Sequence, residues 1–213
     1  MDPRTIRAYD RDASAYADEW EREQDTPTDV YALLNEHFLP GSVADIGCGS
    51  GRDAAWLSAR GFQVTGYDAS EELLAEARKR HPGIPFEPGT LPALDELGTA
   101  TFTNVLCETV IMHLPDEEVA PAVSRLISLL SPHGVLYLSW RVTDGSDRRD
   151  GSDRLYAAFD ASRVFSNTAD CDILADDEVI SESSGKRVRR VILRAPAPQP
   201  HSGRKRPGDH SPT

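Results

Sequence analysis

The stretch SVADIGCGSG, Ser42–Gly51, decides the fold. A short apolar run empties into glycines at 47, 49 and 51, and the residues that follow, Arg52–Arg60, read as a helix ended by Gly61. A glycine motif carries weight in this setting, between a strand and a helix. Glycine lets the backbone bend sharply and lets a ligand approach without a clashing Cβ. In open α/β sheets such turns lie at the carboxyl ends of the strands, where ligands bind. The next strand, FQVTGYD, closes on Asp68, where a carboxylate can accept both hydroxyls of a ribose.

The spacing narrows the nucleoside. A dinucleotide site has G-x-G-x-x-G with a pyrophosphate on the helix N-terminus. This chain has G-x-G-x-G, and Asp45 stands two residues before the first glycine. An anion there repels a pyrophosphate and attracts a cation such as an ammonium. S-Adenosylmethionine has a ribose, an adenine, an ammonium and a sulfonium, and no phosphate.

The pattern around this turn alternates strands and helices, which implies a parallel sheet with right-handed crossovers. Thr5–Glu23 reads as an amphipathic helix with Ile6, Tyr9, Ala13, Tyr16 and Trp20 on one stripe, and Val30–Leu39 as a second helix. Ser70 is the expected N-cap of a helix over Glu71–Arg80. IPFEPG, TFTNVLC and GVLYLSW read as strands. Asp116–Leu130 reads as a helix whose start Pro121 is expected to delay. Leu155–Phe159 reads as helical. EVISESSG and KRVRRVILR read as two strands on a tight link, hence antiparallel. The expected fold is an open, doubly wound, mostly parallel α/β sheet with one antiparallel edge strand, flanked by helices. One domain over residues 1–195 is expected, with a helical lid over about 1–39 and a disordered tail, 196–213, rich in Pro and Gly.

Bulk chemistry excludes several functions. The chain has 213 residues and a net charge of −12, and its tail is locally basic, so the body is more acidic still. Such a body repels a phosphate backbone, so no nucleic-acid partner is expected. The three cysteines, Cys48, Cys107 and Cys171, match no zinc spacing and suit a reducing cytosol, so no metal is expected and a cytoplasmic location is. No segment reads as a signal peptide or a membrane span. The oligomeric state is not readable.

VADIGCGSGRDAAWLSARGFQVTGYDAS resembles the first two motifs of the class I, Rossmann-like S-adenosylmethionine-dependent methyltransferases, in their small single-domain branch. TFTNVLCETVIMHLP is similar to the fourth strand and following loop of that superfamily, RLISLLSPHGVLYLSWR to its helix, turn and fifth strand, and RAYDRDASAYADEW to its lid helix. The resemblance covers Thr5 to Ala195 and implies a seven-stranded sheet, S-adenosylmethionine as cofactor, S-adenosylhomocysteine as product, and in-line methyl transfer to a small-molecule acceptor. It also implies a set of donor contacts: Asp45, Gly47, Cys48, Gly49, Gly51 and Arg52 in the first motif, Asp68 and Ala69 in the second. Thr90 and Leu91 are expected beside the adenine, because FEPGTLPAL lacks the acidic residue that often precedes this segment. Cys107 and Tyr16 complete the donor set.

His113 and Glu108 are the candidate proton acceptors, and Tyr9, Trp20, Arg154 and Tyr156 the candidate acceptor contacts. CETV, from Cys107, does not resemble the Asn/Asp-Pro-Pro-aromatic motif of enzymes that methylate base amino groups. Holding donor and acceptor in line is the main catalytic task, and a base is needed only for a protonated acceptor. DGSDRRDGSDR, Asp144–Arg154, repeats one pentad and does not have calcium-loop spacing. Asp144–Arg149 is expected to be a solvated mobile loop at the edge of the acceptor side. Two alternatives remain: a non-catalytic nucleoside-binding or regulatory module, and a nicotinamide (NAD)-dependent oxidoreductase.

Overall fold

A computed structural model describes residues 1–22 and 26–197. Helices α1 (Pro3–Arg22) and α2 (Thr28–His37) precede strand β1 (Ser42–Ile46). The chain then alternates through α3 (Arg52–Ser58), β2 (Gln63–Asp68), α4 (Glu71–Arg80), β3 (Phe86–Pro88), β4 (Phe102–Cys107), α5 (Asp116–Leu129) and β5 (Leu130–Arg141). It ends with β6 (Arg148–Arg149), β7 (Leu155–Tyr156), α6 (Ser162–Phe165), β8 (Asp172–Ile180) and β9 (Arg187–Arg194). The main sheet has seven strands in the order β3-β2-β1-β4-β5-β9-β8. Pairs among β1 to β5 are parallel, and antiparallel pairing is confined to the β5–β9 and β8–β9 ladders at one edge. The reversed strand β9 lies one place in from the margin, and β8 is outermost.

Side chains alternate across a strand, so each strand feeds both faces. In β5, Leu136, Leu138 and Trp140 join the core beneath α5, while Val135 and Tyr137 join the core beneath α2, α3 and α4. Two buried layers thus sandwich the sheet and fix its carboxyl edge as one rim.

Local chemistry sets the helix starts. Ser70 caps α4, its hydroxyl accepting from Leu73 N–H at 3.2 Å. Pro121 does not delay α5: the helix begins at Asp116, straight after Pro115, with Asp116, Glu117 and Glu118 at its positive end. The missing N–H of Pro121 costs one backbone bond inside the helix. Asp2 precedes Pro3 and accepts from Thr5 N–H at 2.8 Å, which caps α1.

The double pentad is not a free loop. Arg148–Arg149 and Leu155–Tyr156 pair as a short antiparallel hairpin, so Leu155–Phe159 does not resume a helix. The Leu155 and Ala157 N–H groups are taken by the Thr5 hydroxyl (2.9 Å) and the Met112 carbonyl (2.9 Å), which draws the segment out straight. The expected tail lies, apart from residues 196 and 197, outside the described residues.

Candidate functional site

The glycine loop, the carboxyl ends of β2, β4 and β5, α1 and the β6–β7 hairpin enclose a cavity of about 610 Å³. Such a volume suits a small molecule or cofactor, for which cavities run roughly 300–1,000 Å³.

Its floor is the glycine loop. Gly47 has φ +76°, and a Cβ there would stand 2.3 Å from Val110 Cγ2. Gly51 has φ +89° and faces Phe86 Cζ at 2.7 Å, so its need is packing, and it does not line the cavity. Gly49 alone opens toward the lid, with Tyr16 Cε1 at 3.8 Å from the position of a Cβ. Asp68 ties the loop to the next strand: its oxygens accept from Gly49 N–H and Ser70 N–H, each at 2.9 Å. Burial raises its pKa.

Two buried groups beside the loop lack partners. Asp45 is 3% exposed and its Oδ2 accepts nothing. Burial, then the neighbouring Asp53 and Asp68, push its pKa well above the usual carboxylate range. Arg52 spends Nε and Nη2 on Asp53, at 3.0 and 3.2 Å, and lies 4.3 Å over the Trp20 ring, but its Nη1 donates to nothing. An unpaired buried polar atom is costly, and both of these residues line the cavity, where a ligand atom can reach them. One wants a donor and the other an acceptor. An ammonium and a carboxylate on one ligand meet both needs.

Around the other end sits an aromatic cluster. His113 is 3% exposed. Its Nδ1 lies 2.5 Å from the Leu155 carbonyl, so that nitrogen carries the proton and Nε2 accepts from Tyr9 Oη at 3.1 Å. The Tyr156 ring stands 5.2 Å from the His113 ring, Arg141 lies 4.9 Å over Tyr156, and Arg154 lies 5.2 Å over Tyr9. Burial, with Arg154 and Arg141 adding to it, drops the His113 pKa to about 4. Glu108 is half-buried, accepts from Ser139 Oγ at 2.5 Å, and has its pKa raised by burial first.

Asp45, Gly47, Cys48, Gly49, Arg52, Asp68, Ala69, Leu91 and Tyr16 all line this one cavity, as do Tyr9, Trp20, Glu108, His113, Arg154 and Tyr156. Thr90 is exposed and off the lining, and Cys107 is buried in the core beneath α5. Asp2 and Arg149 escaped the sequence reading. Arg149 grips Asp2 through two bonds of 2.9 and 3.0 Å, and Arg4 grips Asp153 at 2.6 and 2.7 Å, so the hairpin latches α1 over the cavity. The helix-start pair Asp2-Pro3 was the legible signal. Arg141 and Lys186 also escaped it, one at the end of a strand and one in the β8–β9 turn.

Among the described residues no helix is long and apolar enough to cross a membrane, and no cluster of His, Cys, Asp or Glu is arranged to hold a metal ion.

Residues 43–134 match the family described as a methyltransferase domain. A trans-aconitate 2-methyltransferase of Acidovorax ebreus (strain TPSY) is 33% identical over 132 residues, 60% of this chain and 48% of that one. A magnesium-protoporphyrin O-methyltransferase of Synechocystis sp. is 34% identical over 113 residues, 50% of this chain and 48% of that one. The chain spans about half the length of these curated relatives. The solved 1,6-didemethyltoxoflavin-N1-methyltransferase of Burkholderia thailandensis, with bound 1,6-didemethyltoxoflavin and S-adenosylhomocysteine, superposes with a TM-score of 0.69 at 23% identity, over 90% of this chain and 88% of that one.

Proposed function

We propose that the protein transfers a methyl group from S-adenosylmethionine to a small-molecule acceptor, a reading supported by the match of residues 43–134 to a methyltransferase domain. The observation that carries the reading is the pair of partnerless buried atoms, Asp45 Oδ2 and Arg52 Nη1, beside the glycine loop. They fit the ammonium and the carboxylate of the donor's amino-acid moiety. Asp68 at the end of β2 fits its ribose. The donor, when bound, supplies a methyl group already activated by the sulfonium.

The chain's own residues bind, orient and exclude water. Tyr16 and Trp20 cover the loop end of the cavity from α1, and the Asp2–Arg149 latch keeps that helix down. Orientation of this kind can supply about 7–11 kcal/mol of a barrier. His113 is a positioning residue in this reading: it stays neutral near pH 7, and its one lone pair is spent on Tyr9. With His113 spent in this way, Glu108, which lines the cavity and has its pKa raised by burial, is the remaining candidate proton acceptor for a neutral acceptor O–H.

The acceptor's identity lies outside the matched segment. The relatives above are named for unlike acceptors, whereas Tyr9, Arg141, Arg154, Tyr156 and Lys186 fall before or after residues 43–134. Thermal unfolding tests the donor. S-Adenosylhomocysteine at about 100 times its Kd is expected to stabilise the fold by about 2.7 kcal/mol, and NAD to do nothing. Stabilisation by NAD alone would overturn the reading in favour of an oxidoreductase. Transfer of a labelled methyl group from the donor separates an enzyme from a binding module.

A further inference from the structure

We propose that the acceptor carries a carboxylate, received by Arg141 and Lys186 at the far end of the cavity; the inference rests on the methyltransferase reading for which end of the cavity is the acceptor's. The protein has 35 acidic residues against 23 basic ones. Several arginines near this end are paired: Arg149 with Asp2, Arg154 with Asp150, Arg187 with Asp144, Arg190 with Asp29. Arg141 is not among them. It lines the cavity, lies over the Tyr156 ring, and has no ion pair among the described residues. Lys186 lines the same end, from the β8–β9 turn, and has none either.

Where carboxylates are in surplus, two unpaired cations facing one cavity are a receptor for an anion from outside. The shape of the site adds to the charge. Tyr156 sets its ring against Arg141, Tyr9 lines the same cavity beneath Arg154, and Ser181 and Ser183 place hydroxyls on the Lys186 side. A planar carboxylate suits a guanidinium, which can meet it with two parallel N–H groups. Phosphorylated acceptors are disfavoured by Asp150, which lines the same end and already occupies Arg154. The charge nearest the aromatic pair is thus enough for a carboxylate and is partly cancelled for a dianion.

Calorimetric titration of the full chain with benzoate and butyrate, each against its amide, tests this. The carboxylates are expected to bind about tenfold more tightly than benzamide and butyramide, a charge-assisted bond being worth about that ratio. Arg141→Met and Lys186→Met are each expected to weaken the carboxylates about tenfold and the amides by less than about twofold, with Arg141→Lys recovering part of the loss. Amides that bind as well as the acids, or carboxylate affinity indifferent to both methionine variants, would overturn the proposal. S-Adenosylhomocysteine is titrated into the same preparations. Its binding without carboxylate selectivity removes the carboxylate subsite and keeps the methyltransferase reading. Carboxylate selectivity without its binding does the reverse. Lys186 is exposed, so that variant folds even where the stacked Arg141 is needed for packing.

Discussion

His113 is buried in its neutral form, and that has a measurable cost. Its pKa of about 4 lies below the value of about 6.5 that an unfolded chain offers. Between those two pH values the unfolded state binds a proton that the native state refuses, so stability falls as pH drops through that window and is intact above it. The expected size is about 3 kcal/mol, at about 1.4 per unit. His113→Gln, which keeps an acceptor for Tyr9, is expected to lose this acid slope while paying some stability at all pH. Urea unfolding at pH 7 and pH 4.5 reads the difference, and parallel slopes for both proteins would show His113 to be protonated in the native state. The same substitution separates positioning from base catalysis. As a positioning residue, His113→Gln lowers methyl transfer by about tenfold or less with no change in the shape of the pH profile, whereas loss of a general base costs about 10² to 10⁴. The residue itself was visible in the sequence, in MHLP after the fourth strand. Its neutrality was not, because it comes from burial beneath elements distant in sequence, with Arg154 and Arg141 adding to it; Leu155 and Tyr9, 42 and 104 positions away, set only which nitrogen carries the proton.

Hairpins and helices show the same division between local and distant information. Every parallel strand and the α4 cap could be read from apolar runs, glycines and Ser70, since those choices are made by residues within a few positions. The β6–β7 hairpin could not. Its residues are polar, repeated and rich in glycine, and what orders them is α1: Asp2, Arg4 and Thr5 take Arg149, Asp153 and the Leu155 N–H. The Asp2 side chain is largely shielded, and the bond from Arg149 holds its pKa well below the usual carboxylate value. A carboxylate depressed in this way contributes its stability above the unfolded pKa and loses it as pH falls through the folded one. Asp2→Asn breaks both the cap charge and the latch. It is expected to cost about 2 kcal/mol, in line with a charge-assisted pair in partial burial. Hydrogen exchange over residues 3–22 is the check. Faster exchange in Asp2→Asn over the first turns of α1 and over residues 148–156 together is the expected pattern. A change confined to one of the two elements would show that they are not latched to each other.

The helix that the hairpin holds reaches both ends of the cavity. Tyr16 and Trp20 stand over the glycine loop and Arg52, and Tyr9 stands against His113 and Arg154. Contacts to the body run along its length: Asp10 accepts from Ser70 Oγ at 2.6 Å, and Asp18 pairs with Arg80 at 2.8 Å. A helix tied at several points moves as one unit, and a ligand at either end pays part of the entropy of fixing it for the other. Donor and acceptor are therefore expected to bind cooperatively although they touch different residues of α1. Two measurements follow. S-Adenosylhomocysteine alone is expected to slow hydrogen exchange along the whole of α1, including the turn that carries Tyr9, which lies away from the loop. It is also expected to tighten benzoate by a factor of about 5 or more, and benzoate to tighten S-adenosylhomocysteine by the same factor, because coupling between two sites is reciprocal. Protection confined to the Tyr16–Trp20 end, with independent affinities, would mean that α1 frays over the acceptor while closed on the donor. In Asp2→Asn both the shared protection and the coupling are expected to shrink, since the latch is what makes the first half of the helix follow the second.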